Sequence, residues 1–332
     1  MIDFVSKRYL YFTISLLVML PGIVSMILPN GLKTGIEFSS GSNFSVRFQD
    51  DVTSDELRTA LSDLGHPESR IQETTSGRFL VRTDLVGGAT ESPPFGPALP
   101  SEREDIEAAL ADRFGPLLDG EGNVSGRFIE FSSVSASVSS DITRNAAIAV
   151  VAAAVAVLIF VTFSFWNVPS PIRYGAATVL ALAHDVVIVM GMASIIGRIT
   201  AFEIDSLFIT AMLTIIGFSV HDTIVVFDRI RENVQRSAQA GYRVALGQAV
   251  NASLNQTLAR SMNTSITLFL AILALLLLGG DTIQNFLITM LIGLAAGTYS
   301  SIFIASQVLV AWEEGDLPGF GASAPEEAEA AA

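Results

Sequence analysis

The chain contains no cysteine, so disulfides and thiolate chemistry are excluded. Its three histidines, His66, His184 and His221, lack the spacing of a zinc site, and no cofactor or structural metal is expected. Basic residues are outnumbered, with 19 Lys and Arg against 33 Asp and Glu and a formal net charge of -14. Without a basic excess to neutralise phosphates, no nucleic-acid surface is expected. Charge of either sign is sparse: 16% of the 332 residues are charged while 50% are hydrophobic, and the mean hydropathy is +0.52. Such a chain is too apolar for a soluble protein of this size and reads as an integral membrane protein with one polar domain.

Residues 9–28, YLYFTISLLVMLPGIVSMIL, follow Lys7 and Arg8 and suffice to cross a hydrocarbon core of about 30 Å at about 1.5 Å per residue. A cleaved signal peptide also starts with basic residues. This apolar run is longer than a signal h-region, however, and no A-x-A site follows, so it reads as a membrane anchor in which Pro21 is expected to allow a kink. Five more apolar segments of spanning length follow at about 146–163, 174–196, 205–227, 262–278 and 283–310, which makes six. Orientation comes from Lys and Arg near the span ends. A cytoplasmic N-terminus puts Lys7, Arg8, Arg173, Arg229, Arg231, Arg236, Arg243 and Arg260 inside, against Lys33, Arg144 and Arg198 outside. Both termini are then cytoplasmic, in a multi-pass membrane protein. Residues 29–141 form an extracytoplasmic domain, 229–258 a cytoplasmic helical connector and 313–332 an acidic disordered tail.

The polar domain is acidic, with 18 acidic and 9 basic side chains between residues 29 and 140. FSVRF at 44–48 alternates like a strand, Thr53-x-x-Glu56 is a capping box opening a helix to about Leu64, and 70–75 with 77–83 read as a hairpin. Ser101-x-x-Glu104 caps a second helix to about Phe114, and RFIEFSSV at 127–134 alternates again. The order β-α-β-β-α-β is that of a ferredoxin-like split βαβ domain. Between its halves, DLVGGATESPPFGPALP at 84–100 is too rich in Gly and Pro for regular structure and lacks the pattern of a phosphate loop, so it reads as a mobile insertion.

The costliest residue lies in IIGFSVHDTIVVFDRIREN, residues 215–233. A carboxylate in hydrocarbon costs roughly 2.5–3.5 kcal/mol on insertion scales, so Asp222 needs a partner, a water-filled path or a proton. It sits about six residues, or roughly 9 Å of helical rise, from the inner end of the fourth span. His184 and Asp185 lie about eleven residues into the third span, and Arg260 opens the fifth among Asn263, Thr264, Ser265 and Thr267. Two carboxylates, a cation and hydroxyls can form a hydrated proton relay, with Asp222, Arg260 and Asp185 as its core and His221, His184, Asn263, Thr264 and Thr267 in support. The competing structural reading is a permanent Asp222–Arg260 ion pair that fixes helix register. An intramembrane aspartyl protease is disfavoured, because its Y-D and G-x-G-D words are absent. Gly293-x-x-x-Gly297 marks a face for close helix packing.

GFSVHDTIVVFDRIREN, followed by LNQTLARSMNTSITLFLAILALLLLGGDTIQNFLITMLIGLAAGTYSS, resembles the SecD/SecF family of the bacterial Sec export machinery, and GIEFSSGS at 35–42 resembles the family segment after the first span. The resemblance implies half of a resistance-nodulation-division transporter: six spans with an extracytoplasmic domain between the first and second. It implies SecD as partner, and SecYEG, SecA, the unfolded translocating polypeptide and the bilayer as surroundings. The implied role is non-enzymatic, the use of an ion gradient to promote late-stage export, with the proton as coupling ion and sodium as the alternative. The family's functional aspartate maps to Asp222, its arginine to Arg260 and its third-span aspartate to Asp185. The chain departs from the family in carrying His221 where Asn is usual, and Glu37, Ser39, Ser40 and Gly41 where Asp and two glycines are usual. Alternative functions are an ion-coupled exporter of small molecules or lipids, and a non-conducting scaffold for SecD.

Overall fold

The structure, a computed structural model, describes residues 2–29, 31–74, 77–87, 101–168, 170–200, 202–241, 244–280 and 283–315. Residues 88–100 of the expected insertion, Arg243, and the tail beyond 315 lie outside the described residues. The chain divides into two compact units, Thr34–Ala146 and the remainder, Met1–Lys33 with Ala147–Ala332.

The smaller unit contains α2 (Ile36–Ser39), β1 (Gly41–Val46), α3 (Ser54–Asp63), β2 (Arg70–Glu73), β3 (Phe79–Thr83), α4 (Glu102–Phe114) and β4 (Glu130–Val134). Both capping boxes are complete: Thr53 and Glu56 bond each other's backbone N–H, as do Ser101 and Glu104. The sheet order is β2-β3-β1-β4, antiparallel at every pairing, the split arrangement the pattern predicts. Alternation places Phe44, Val46 and Val81 on one sheet face, where they pack with Leu57, Leu61, Ile106, Leu110 and Phe128. β1 starts three residues before its expected start, because Gly41 has φ +124°, which only glycine adopts readily, and pairs with Val134. β4 starts at Glu130, three residues later than expected.

Among the described residues, six helices are long and apolar enough to cross a membrane: α1 (Arg8–Ile27), α5 (Ala136–Ser164), α6 (Pro171–Ile199), α7 (Ser206–Gln239), α8 (Leu246–Leu278) and a sixth, Gln284–Glu313. α5 starts ten residues before its apolar run and extends across the division between the units. The sixth helix is α9 (Gln284–Ser300), a π-helical turn (Ser301–Ala305) and α10 (Ser306–Glu313). α9 packs on α6, α7 and α8, while α1 packs on α6. Two close approaches depend on glycine. A Cβ at Gly22 would lie 2.8 Å from the Gly191 Cα, and a Cβ at Gly293 would run into the Ile215 side chain. α5 is the least embedded, with 6% of its most apolar stretch buried against 56% for the sixth helix.

Two sequence expectations change. Residues 229–258 are not a separate connector: α7 continues unbroken to Gln239 and α8 begins at Leu246. No proline interrupts either helix, and Asp228–Arg231, Arg229–Glu232 and Glu232–Arg236 ion pairs support the polar end of α7. Glu313 and Glu314 do not belong to a tail either. Glu313 ends α10 and pairs with Arg173, and Glu314 pairs with Arg8.

Candidate ion-relay site

The fourth span positions Asp222 by helical phase. Val220, Thr223, Val226, Phe227 and Ile230 face the core, and Asp222 shares that face with 6% of its surface exposed. Its Oδ1 accepts a hydrogen bond from the Ser261 hydroxyl of α8 at 2.7 Å. Its Oδ2 is buried and has no hydrogen-bond partner among the described residues. Ser265, one turn along α8, donates to the Ser261 carbonyl at 2.9 Å, and Thr298 of α9 donates to the Ser265 hydroxyl at 2.7 Å. The sequence signal for this row is Thr257, Ser261 and Ser265, spaced four apart and all buried.

Arg260 does not meet Asp222. It is exposed and forms no ion pair among the described residues, so the competing reading of a permanent Asp222–Arg260 pair does not hold. Adjacent helical residues diverge by about 100°, and Ser261 takes the face toward α7, which turns Arg260 outward. Asn263, Thr264 and Thr267 are exposed on the same side of α8, and the two threonine hydroxyls bond their own helix at the Arg260 and Asn263 carbonyls. His221 is likewise exposed. On α7 it continues a row of Thr210, Thr214 and Gly217, spaced four, three and four residues apart and all exposed.

Asp185 forms a second polar centre. It is 2% exposed and accepts from Ser219 of α7 at 2.7 Å, Ser300 of α9 at 2.8 Å, and the His184 Nδ1 at 3.0 Å. His184 stacks on Tyr299, and its Nε2 is buried with no hydrogen-bond partner among the described residues. Ser301, the first residue of the π-helical turn, donates to the Ser219 carbonyl and lies 3.0 Å from the Thr223 hydroxyl. Nothing in the sequence singles out Ser300 and Ser301 for this centre. No cluster of three metal-ligating side chains occurs among the described residues.

Residues 119–315 match the family model for the C-terminal region of the protein export membrane proteins SecD and SecF. The chain is 40% identical over 317 residues to the protein translocase subunit SecF of Thermobaculum terrenum, covering 96% of each. The chain belongs to the SecD/SecF family. Its six apolar helices accordingly make it a multi-pass membrane protein. It is 33% identical to the protein translocase subunit SecDF of Thermus thermophilus over 91% of this chain and 37% of that one. The crystal structure of SecDF from that organism, described as a translocon-associated membrane protein, superposes with a TM-score of 0.74 at 32% identity, covering 94% of this chain and 39% of that one. This chain therefore spans about two fifths of the length of the fused SecDF relatives it matches.

Proposed function

We propose that this chain is a SecF-type half of a translocase accessory complex that works with SecD and uses the proton motive force to promote late-stage polypeptide export through SecYEG and SecA. The observation that carries the reading is the bare Oδ2 of Asp222, a buried carboxylate oxygen with no donor among the described residues. A carboxylate so placed is costly when charged and is satisfied by taking up a proton, which suits a carrier that alternates between two states.

The partner is supported by the outer face of α7 and α8. Thr210, Thr214, Gly217 and His221 are exposed on α7, and Arg260, Asn263, Thr264 and Thr267 on α8, small or polar side chains where α5 shows Ile148, Val151, Val155 and Ile159. Intramembrane charges face protein or water in preference to lipid, so this face takes the SecD half, and fused SecDF relatives supply such a half on the same chain. Arg8 with Glu314, and Arg173 with Glu313, bring the start of α1, the start of α6 and the end of α10 to one end of the bundle. That end carries Arg229, Arg231 and Arg236 as well, the cytoplasmic side by the positive-inside rule, which leaves Thr34–Ala146 extracytoplasmic.

The test is export into inverted vesicles containing SecYEG, SecA and SecD under imposed gradients. Asp222→Asn should lose gradient-stimulated export and fall to the ATP-only level while still co-purifying with SecD. Full stimulation in that variant, or stimulation of the parent by a sodium gradient alone, refutes the proton-carrier reading.

A further inference from the structure

We infer that Asp185 is a positioning residue for Asp222, a latch joining α6, α7 and α9, and not a second carrier. The inference rests on the reading of Asp222 as the proton carrier. It begins with an asymmetry between two buried carboxylates of the same bundle. Asp185 already accepts three hydrogen bonds, two at Oδ2 and one at Oδ1, while Asp222 accepts one and keeps Oδ2 bare. The Asp185 donors come from three helices, so the carboxylate ties α7 and α9 to α6.

Both carboxylates converge on the same short segment of α9. Asp185 takes Ser300 directly and takes Ser219, one turn before Asp222 on α7. Asp222 reaches the segment through α8: Ser261 donates to Asp222, Ser265 to the Ser261 carbonyl, and Thr298 to Ser265. Gly297 permits the contact, since a Cβ there would lie 3.1 Å from the Ser219 Cβ. The helix widens into its π-helical turn immediately after Ser300, and the first residue of that turn, Ser301, meets Thr223 beside Asp222. Such turns recur inside α-helices, frequently at functional sites. With Ser300 latched to Asp185, α9 is held in the register that sets Thr298 against α8 and Ser301 against α7, and this arrangement leaves the Asp222 Oδ2 bare. The titratable neighbours of Asp185 are His184, bonded to it, and Tyr299, stacked on His184.

The test is infrared pH titration of water-shielded carboxyl bands in the reconstituted complex with SecD. The parent should show one titrating band, absent in Asp222→Asn. Asp185→Asn should keep that band with a displaced midpoint, and Ser219→Ala and Ser300→Ala, which remove single latch bonds with little change in volume, should displace it in the same direction. A second titrating band that disappears in Asp185→Asn overturns the inference, because Asp185 would then carry a proton itself. An undisplaced band in all three variants overturns it as well. Survival of the parent band in Asp222→Asn instead refutes the carrier reading beneath it, a result separate from the other two.

Discussion

Asp222 and Arg260 show how one residue of helical phase decides a chemical role. Residues 260 and 261 are neighbours in sequence, yet the serine bonds the buried carboxylate and the arginine faces outward. Removing the Arg260 side chain should therefore leave the thermal stability of the isolated chain within about 0.5 kcal/mol, as for a surface substitution without partners, and weaken association with SecD. Equal destabilisation of the isolated chain, followed by denaturation in micelles, would contradict that placement. Glycines divide in the same way. Gly22→Ala or Gly191→Ala puts a methyl group 2.8 Å from backbone, which neither helix can yield without separating, and should cost about 1–3 kcal/mol. Gly217→Ala meets nothing within 4 Å and should be neutral or stabilising by up to about 1 kcal/mol through helix propensity. A micelle unfolding series on the three variants checks the contrast.

Among the elements, α3 shows how local chemistry fixes a boundary. The Thr53 backbone N–H and then its hydroxyl hold the Glu56 carboxyl below the usual carboxylate range. A carboxyl lowered by folding stabilises the native state fully above its unfolded value, and that contribution disappears as the pH falls through the lowered, folded value. Acidification should thus fray the start of α3, seen as faster amide exchange at 54–57 in the full chain, and Glu56→Gln should flatten the acid response. An unchanged acid response in that variant would remove the capping box as its cause. The π-helical turn is an element of the opposite kind. Ile302 and Ile304 lie within it, and its sequence, SIFIA, reads as ordinary apolar helix, because the widening answers to the contacts of Ser300 and Ser301 with α6 and α7.

For the whole molecule, the contrast between exposed faces assigns surroundings. α5 presents aliphatic side chains along its outer side, as a lipid-facing helix does, whereas α7 presents the small and polar row Thr210, Thr214, Gly217 and His221, and α8 mixes Arg260, Asn263, Thr264 and Thr267 with exposed Met262, Ile266 and Leu270. A bulky residue on that second face should separate the halves without unfolding this one. Gly217→Leu is expected to weaken co-purification with SecD by about tenfold or more, equivalent to about 1.4 kcal/mol, with an unchanged melt of the isolated chain. Retained association would place the SecD contact on another face.

The sequence by itself determined what depends on local rules. Apolar run length set the number of spanning helices, paired capping residues and alternation set the order of elements between Thr34 and Ala146, and the cost of a charge in hydrocarbon singled out Asp222 before any partner was known. Tertiary structure decided the rest. It gave Asp222 a serine where the sequence suggested an arginine, and it saturated Asp185 with donors 34 and 115 residues away in the chain. Those outcomes depend on the rotation of each helix about its axis and on the glycine contacts that set helix separation. Both are properties of packing between distant segments, on which local hydrogen bonding and hydropathy carry no information.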